Sequence, residues 1–250
     1  MNANRPVIEL RDVSLTYRQR HSLFRRTTYT ALRDLNLTVF EGETLGIIGR
    51  NGSGKSTLLR VLASIYRPDS GVVITHCSSV SLLGLGVGFD PNLSGRDNAI
   101  VLAMLLGSRR AQVEEKLDEI LEFAELGGFV DEPLKTYSTG MRARLGFSVA
   151  IKMQADLLLI DEVLSVGDAE FKKKAEKAMI ARIRSQQSVV LVSHSVAQLR
   201  TLSDRVLWLE KGSIRALGDP ADVIGQYRRF IAHHGEETPR QAEPAVGMRK

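Results

Sequence analysis

A glycine-rich segment in the first quarter of the chain carries residue types that bind phosphate. Residues 49–57 read Gly-Arg-Asn-Gly-Ser-Gly-Lys-Ser-Thr and fit the pattern G-x-x-x-x-G-K-[ST]. Glycines let such a backbone curl so that its N–H groups face a β-phosphate, and a helix that follows adds the positive end of its dipole. Lys55 would bind the β- and γ-phosphates, and the hydroxyl of Ser56 would ligate Mg²⁺. The segment therefore predicts a nucleotide site.

The residues on either side predict the elements that would hold this loop. Residues 44–48, Thr-Leu-Gly-Ile-Ile, form a buried-strand run, and residues 58–62, Leu-Leu-Arg-Val-Leu, start a helix. A strand, a glycine loop and a helix in this order are the context that the phosphate-binding mechanism requires. An ordinary glycine-rich turn between strand and helix is the alternative, and the Lys-Ser pair favours the phosphate loop.

A second candidate site lies where an apolar run ends in two acids. Residues 157–160, Leu-Leu-Leu-Ile, predict a buried strand, and Asp161 and Glu162 follow directly. An Asp at a strand end can hold the water shell of Mg²⁺ opposite a phosphate loop, and the next Glu can polarise an attacking water. Such a sequence is common at strand ends. Its pairing with an upstream phosphate loop makes the metal and base assignment strong.

A third apolar strand, predicted at 189–192, is followed by Ser193 and His194. A lone histidine in this position usually lines a loop. Because the phosphate loop and the two acids are also present, the sequence favours a contact between His194 and a γ-phosphate.

Length and composition predict an ordinary folded domain. With 250 residues, 43% hydrophobic and 25% charged, the chain can bury a full core as one domain or two closely packed subdomains. The best candidate for a membrane span, residues 99–106, has eight apolar residues where roughly 20 are needed. Residues 1–6 contain no apolar signal core, which predicts a cytosolic chain. Cys77, the single cysteine, excludes an internal disulfide and a cysteine-based zinc site, and we expect it to be buried.

The net charge of +5 raises nucleic acid and anionic lipid as possible partners. Segment 17–31 interrupts a strand-like region and predicts an exposed loop, which is either solvated or in contact with a membrane surface. Aromatic residues do not alternate with the basic ones as a base-stacking platform would need, so we predict no nucleic acid partner. The basic residues in and beside the segment are Arg18, Arg20, His21, Arg25, Arg26 and Arg33.

Strand and helix patterns alternate along the chain, as in a parallel sheet wrapped by helices. A mainly helical stretch at about 90–155 is interpreted as a subdomain inserted into an α/β core. Residues 234–250, with Pro239 and Pro244, predict a disordered tail. The predicted strands are 7–10, 35–39, 44–48, 157–160, 189–192 and 206–209, and the predicted helices of the insert are 96–106, 110–126 and one that begins near residue 139.

Two further segments narrow the family. Residues 137–144, Tyr-Ser-Thr-Gly-Met-Arg-Ala-Arg, lie at a predicted helix start before the two acids, and residues 164–168, Leu-Ser-Val-Gly-Asp, follow the acids. Together with the phosphate loop, the strand acids and His194, this order resembles the nucleotide-binding subunit of ATP-binding cassette (ABC) transporters. The resemblance extends from residue 7 to about residue 231.

The signature segment of that family is usually Leu-Ser-Gly-Gly-Gln. Tyr137, Thr139 and Met141 depart from it here. Ser138 and Gly140 keep the small hydroxyl and the open backbone that contact phosphate. The resemblance implies that Ser138 and Gly140 close over the nucleotide of a second copy in a head-to-tail homodimer.

The resemblance also implies a fold, a cofactor and partners. The fold would be an α/β P-loop NTPase (RecA-like) core with an N-terminal antiparallel β subdomain and the inserted helical subdomain, within an ATPase domain at 1–233. ATP with Mg²⁺ would be the nucleotide. A separate transmembrane permease would hold the chain, as a peripheral subunit, on the cytoplasmic face of the inner (plasma) membrane.

A narrower resemblance concerns cargo. The Tyr-Ser-x-Gly-Met form at 137–141 and residues 161–171 are similar to the branch that exports O-antigen, capsule and teichoic acid. This implies a lipid-linked glycan as cargo. The alternatives are another ABC transporter type, such as an importer, and a soluble ABC ATPase that acts on nucleic acid or ribosomes. The soluble class generally has two cassettes or a long coiled-coil insert, which this sequence lacks.

The family resemblance assigns roles to individual residues. Asp161 would position the metal with Ser56, Glu162 would be the general base, and His194 would contact the γ-phosphate. Tyr17 would stack on adenine, with a strand-edge aromatic as the alternative. The residues expected to hold the phosphates are Gly49, Asn51, Gly52, Ser53, Gly54, Lys55, Ser56 and Thr57.

Two more positions follow from the same resemblance. Asp168 would lie at the dimer interface. The family places a Gln or Glu in the loop at 83–89, and this chain has glycines there. If Gly84 fills that position, a metal or water ligand is absent, so hydrolysis is slower or another group substitutes. The alternative is that the glycines give the loop freedom against the membrane subunit.

Overall fold

The computed structural model describes residues 5–20, 26–83, 88–161, 167–185 and 187–234, and these build two β-sheets with helices packed around them. One sheet has three antiparallel strands in the order β2-β1-β4, and the other has six in the order β5-β6-β7-β3-β8-β9. The strands are β1 (Pro6–Arg20), β2 (Arg26–Phe40), β3 (Thr44–Ile48), β4 (Ser70–Thr75), β5 (Val80–Leu83), β6 (Leu157–Ile160), β7 (Ser188–Val192), β8 (Arg205–Glu210) and β9 (Ser213–Gly218). The helices are α1 (Lys55–Leu62), α2 (Gly95–Leu105), α3 (Arg110–Ala124), α4 (Thr139–Lys152), α5 (Ala169–Ile183), α6 (Val196–Leu202) and α7 (Pro220–His234).

The six-stranded sheet is parallel except at one edge. β5, β6, β7, β3 and β8 run in the same direction, and β9 pairs antiparallel with β8. β3, β6 and β7 are buried along their whole length. Strands covered on both faces read as continuous apolar runs, which is why the sequence predicted them well. The predicted α/β class is confirmed.

The N-terminal sheet corrects one prediction. Segment 17–31 was expected to be an exposed loop, but β1 continues to Arg20 and β2 begins at Arg26. Tyr17 pairs with Tyr29 in this hairpin, and residues 21–25 lie outside the described ranges. The prediction was wrong because a run of charged residues does not by itself indicate a loop. Successive strand side chains face opposite ways, so an exposed Arg18 can follow a half-buried Tyr17 within one strand.

The helices between β5 and β6 have a core of their own. α3 buries one face through residues spaced three or four apart, including Val113, Leu117, Ile120 and Ala124. This face packs with residues of α2 and α4. The helices match the predicted ones within a few residues. The subdomain limits at 90–155 stay a prediction, and the predicted tail lies almost wholly outside the described residues.

Three short strands, β4, β5 and β9, were not predicted, because their runs of four to six residues carry glycine and serine. Cys77 is half-buried rather than fully buried. Across the described ranges, no helix has the length and apolar content that a membrane crossing needs.

Candidate functional site

The phosphate loop lies between β3 and α1. β3 pairs with β7 on one side and β8 on the other, so the loop leaves the sheet at its carboxyl edge between neighbouring strands. Open α/β sheets bind ligands at this edge. The predicted strand, loop and helix are all present, with α1 beginning at Lys55.

Two glycines fix the path of the loop. Gly52 and Gly54 have φ values of +76° and +106°, a region that residues with side chains rarely adopt. A Cβ on Gly54 would also lie 2.5 Å from the carbonyl oxygen of Ala31. Gly54 is the N-cap of α1, so the first N–H groups of this helix face the loop.

Lys55 is buried and points into the loop. Its Nζ donates to the carbonyl oxygens of Gly49 at 2.8 Å and Arg50 at 3.0 Å. Burial lowers the pKa of Lys55, and the negative charges of Asp161 and Glu210 act in the opposite direction. The ammonium therefore lies where a phosphate would meet it, with two acids close enough to affect it.

The hydroxyl groups of the loop differ in their surroundings. Ser53 is buried, and its Oγ has no hydrogen-bond partner in the described part of the chain. Ser56 is exposed at the start of α1. Thr57 is buried with its Oγ1 3.1 Å from the hydroxyl of Tyr17. The loop thus offers an unpaired buried hydroxyl and an exposed one, which suits a phosphate and its metal ion.

Asp161 and His194 reach the same edge of the sheet. Asp161 follows β6, and His194 lies two residues after β7, its parallel neighbour. Burial and the charge of Lys55 lower the pKa of His194, and the charge of Asp161 opposes this. Lys55, Asp161 and His194 are therefore near enough to influence one another, although they are distant in sequence.

A small hydrogen-bond network holds the turn that carries His194. The hydroxyl of Ser193 donates to Gln198 Oε1 at 3.0 Å and accepts from the Ser195 N–H at 3.0 Å. Ser195 caps α6. The turn is thereby fixed between β7 and α6.

Glu210 lies beside the phosphate loop and was not among the predicted site residues. It ends β8, is 3% exposed, and its Oε1 lies 3.4 Å from Nε of Arg50 in the phosphate loop. The Arg50 guanidinium also lies 5.6 Å from the ring centre of Phe230 in α7. The available signal was an acid at the end of an apolar strand, the same signal that marks Asp161.

Tyr17 lies within β1 and contacts the loop at Thr57, as described above. Its ring also meets Tyr66 edge to face, with centroids 5.9 Å apart. Its cross-strand neighbour Tyr29 donates its hydroxyl proton to the carbonyl of Gly52 at 2.7 Å. Tyr29 was missed because its segment was predicted to be a loop.

The signature segment lies at the start of α4. Ser138 is the exposed N-cap, and its Oγ accepts from the N–H of Met141 at 3.2 Å. A Cβ on Gly140 would lie 3.8 Å from Ser138 Oγ and 3.9 Å from Gly167 Cα, which is ordinary contact. These two residues therefore contact their own region and face outward.

Asp168 caps α5 and joins it to α4. Its Oδ1 accepts from the N–H groups of Glu170 at 3.1 Å and Phe171 at 3.0 Å, and its Oδ2 accepts from the guanidinium of Arg144. The Phe171 N–H and the charge of Arg144 lower the pKa of Asp168. The sequence predicted no role for Arg144, since only the fold brings it to this cap.

Tyr137 replaces the leucine of the usual signature and has a structural reason for being there. It is buried, and its hydroxyl donates to the carbonyl of Phe129 at 2.5 Å. Its hydroxyl also leaves no room for a side chain at Gly95, where α2 begins. The larger side chain therefore ties the signature segment to the neighbouring helix.

Two predicted positions lie outside the described residues. They are Glu162, the expected base, and Gly84, which stands where the family has a Gln or Glu. Their roles stay predictions.

Comparison with known proteins places these features in a family. Residues 32–165 match the model of the ABC transporter family. The chain is 40% identical over 223 residues to an O-antigen export ATP-binding protein, RfbB, of Klebsiella pneumoniae, covering 89% of this chain and 91% of that one. The resemblance inferred from the sequence is confirmed.

Two longer relatives carry similar names. The chain is 44% identical to the RfbB protein of Myxococcus xanthus, covering 87% of this chain and 50% of that protein. It is 43% identical to a teichoic acids export ATP-binding protein, TagH, of Enterococcus faecalis, covering 86% of this chain and 48% of that protein. The chain thus spans about half the length of these two relatives.

Solved structures show the same fold. A dimeric ATP-binding cassette, MJ0796, in a post-hydrolysis state with ADP and phosphate superposes with a TM-score of 0.67 at 21% identity, over 85% of this chain and 98% of that one. An ATP-binding subunit of an ABC transporter gives a TM-score of 0.69 at 21% identity, over 89% of this chain and 93% of that one.

Proposed function

The chain belongs to the ABC transporter family, and we propose that it is the ATP-hydrolysing subunit of a polysaccharide exporter. Mg-ATP would clamp two copies head to tail, and hydrolysis would release them. This motion would drive a separate transmembrane permease, with the chain held as a peripheral subunit on the cytoplasmic face of the inner membrane. The cargo would be a lipid-linked glycan.

The observation that carries the ATPase assignment is the meeting of the phosphate loop, Asp161 and His194 at one edge of the sheet. Lys55 and the N–H groups at the start of α1 would bind the phosphates. The Ser56 hydroxyl and the Asp161 carboxylate would hold Mg²⁺, which neutralises charge on the phosphate oxygens. Oxygen ligands of this kind suit that ion.

The attacking water needs a proton acceptor beside these groups. Glu162 directly follows Asp161 in sequence, so it is the candidate base. His194, with its lowered pKa, would be neutral before the nucleotide binds, and one ring N–H would donate to the γ-phosphate. Hydrolysis is then a displacement in which water forms a bond to the γ-phosphorus, the bond from that phosphorus to the β,γ-bridging oxygen breaks, and ADP leaves.

A second copy would complete each site. Ser138 lies exposed at a helix start and its hydroxyl lies beside the open backbone of Gly140. In a head-to-tail dimer this segment would close over the nucleotide bound to the partner's phosphate loop, with Asp168 at the interface. The dimeric state of a cassette with the same fold supports this proposal.

The cargo assignment rests on the relatives. Proteins named for O-antigen and teichoic acid export share 40–44% identity with this chain over most of its length. The segments at 137–141 and 161–171, which suggested this branch, belong to the same aligned region.

Mixed dimers test the composite site. ATPase activity per chain should rise with protein concentration, and a mixture of Lys55→Ala with Ser138→Arg subunits should recover activity that neither variant has alone. One intact site per mixed dimer is the most that the geometry allows. Activity independent of concentration in a chain shown to be monomeric would contradict the dimer proposal.

Deleting the gene in its host tests the cargo. Glycan synthesis should continue while lipid-linked polymer accumulates inside, and surface labelling compared with total extraction would show the loss of surface glycan. A strain with the Glu162→Gln variant at the same expression level is the matched control for loss of hydrolysis alone. Normal surface polymer in the deletion strain, with no second ATPase to replace this one, would contradict the export proposal and leave the ATPase proposal standing.

A further inference from the structure

A buried acid lies beside the phosphate loop, at the end of a strand that neighbours it. β3 leads into the loop and lies between β7 and β8 in the sheet. His194 lies two residues after β7, and Glu210 is the last residue of β8. The loop therefore starts between a histidine on one side and an acid on the other.

Backbone contacts hold this acid against the loop. The N–H of Gly212, two residues after Glu210, donates to the carbonyl of Ser53 in the loop at 2.9 Å. A Cβ on Gly49 would lie 2.2 Å from the carbonyl oxygen of Leu209, so the two backbones have no room for a side chain between them. The position of Glu210 relative to the loop is therefore fixed.

The carboxylate of Glu210 is only partly compensated by its neighbours. It is 3% exposed, and its Oε1 lies 3.4 Å from Nε of Arg50 in the loop. Its Oε2 has no hydrogen-bond partner among the described residues. Water solvates a buried charge poorly, and salt screens it less than a surface charge. The negative field of Glu210 therefore extends into the loop.

This field reaches the lysine that would bind phosphate. Burial lowers the pKa of Lys55, and the charges of Asp161 and Glu210 oppose this effect. An acid that attracts the ammonium of Lys55 also repels a phosphate bound to that ammonium. The Mg²⁺ that Asp161 would hold compensates the charge of Asp161. Glu210, on the other side of the loop, would stay negative beside the bound phosphates.

We propose that Glu210 limits how tightly the phosphate loop holds nucleotide, so that ADP leaves readily after hydrolysis. This inference rests on the proposed function, because it needs a nucleotide at the loop. A loop that presents Lys55 and Arg50 without this acid would bind ADP more tightly. Tight binding of the product slows each cycle when product release limits turnover.

Equilibrium binding of Mg-ADP and Mg-ATP to the purified chain, with the dissociation rate of Mg-ADP, tests this role. Glu210→Gln and Glu210→Ala remove the charge, and Glu210→Asp keeps it. Glu115→Gln is the matched control, because it makes the same change in charge at an exposed position on α3. Far-ultraviolet circular dichroism of each variant checks folding.

Both variants without the charge should bind Mg-ADP about three- to tenfold more tightly than the natural chain, and release it more slowly by a similar factor. Because the carboxylate is buried, this gain should persist at high salt. Glu210→Asp and Glu115→Gln should stay within about twofold of the natural chain.

The direction of the change separates this role from a structural one. Weaker binding in Glu210→Gln and Glu210→Ala would overturn the proposal and make Glu210 a support of the loop. Unchanged affinity in either folded variant would also overturn it. A natural chain that binds neither nucleotide would contradict the proposed function, and this inference with it.

Discussion

The phosphate loop and the signature segment each place a glycine at the start of a helix, and the surroundings of the two glycines differ. Gly54 has φ +106°, and a Cβ there would lie 2.5 Å from a backbone carbonyl. A Cβ on Gly140 would make only ordinary contacts, at 3.8 Å and beyond. The chain's own backbone therefore dictates the glycine of the loop. Nothing in the chain's described packing requires the glycine of the signature segment, which fits a role toward another molecule.

The polar groups show the same contrast. Lys55 is buried and bonded to the carbonyls of its own loop, whereas Ser138 is exposed and bonds only its own helix end among the contacts described. One half of the proposed site is preformed within a single chain. The other half, at the signature segment, lies exposed on the surface of the chain.

The largest effect is expected for Glu162→Gln. An amide cannot accept the proton of the attacking water, so turnover should fall by about 10²- to 10⁴-fold while Mg-ATP binding stays. Measuring phosphate release and equilibrium binding on one preparation would separate the effect on turnover from the effect on Mg-ATP binding. Full turnover in this variant would remove Glu162 from the role of base.

Lys55→Ala should act on binding, because it removes a charge from the preformed half. The loss of charge-assisted hydrogen bonds should weaken Mg-ATP by about ten- to a hundredfold even in a monomer. Lys135→Ala, at an exposed lysine of the helical region, is the control. Equal affinity in the two variants would show that the loop lysine does not meet the phosphates.

Alanine at each of the two glycines compares the halves directly. Gly54→Ala should lower the free energy of unfolding by about 1–3 kcal/mol, since it forces a side chain into a strained backbone. Gly140→Ala should leave it unchanged or raise it by up to about 1 kcal/mol, because alanine favours a helix. Urea unfolding measures both. Equal destabilisation at the two sites would show that the two glycines do not differ in what the chain's own packing requires.

The smallest effect concerns His194 and pH. Its pKa is lowered in the free chain, and a nearby γ-phosphate would raise it by stabilising the imidazolium. ATP binding should then take up protons, and affinity should increase as the pH falls through the histidine range, by at most about tenfold per pH unit. Calorimetry in buffers of different ionisation enthalpy should show less uptake in His194→Gln. The titration of ATP itself is the same for the natural chain and for the His194→Gln variant, so it cancels when the two are compared.

Much of the site was predictable because its residues sit at the ends of buried apolar strands. Asp161 and His194 follow continuous apolar runs that are typical of interior parallel strands, and carboxyl ends of neighbouring parallel strands meet at one edge. The phosphate loop has its own motif. Local sequence thus contains both the residue types and their common location.

The part of the candidate site that the sequence did not predict depends on contacts between residues that are distant in sequence. Glu210 reaches Arg50 across 160 positions, Arg144 reaches the cap at Asp168 only once two helices pack, and Tyr29 reaches the loop only in one hairpin register. Register and helix packing are set by tertiary structure, so no local pattern reveals these partners.

The contact between Arg50 and Phe230 affects how this protein can be truncated. The ring centroids of Phe230 and Trp208 also lie 5.1 Å apart, so α7 contacts both the sheet, at β8, and a residue of the phosphate loop. A truncation that removes residues from 230 onward would take away a neighbour of a loop residue. Versions of this chain shortened in this way should therefore be assayed for nucleotide binding as well as for folding.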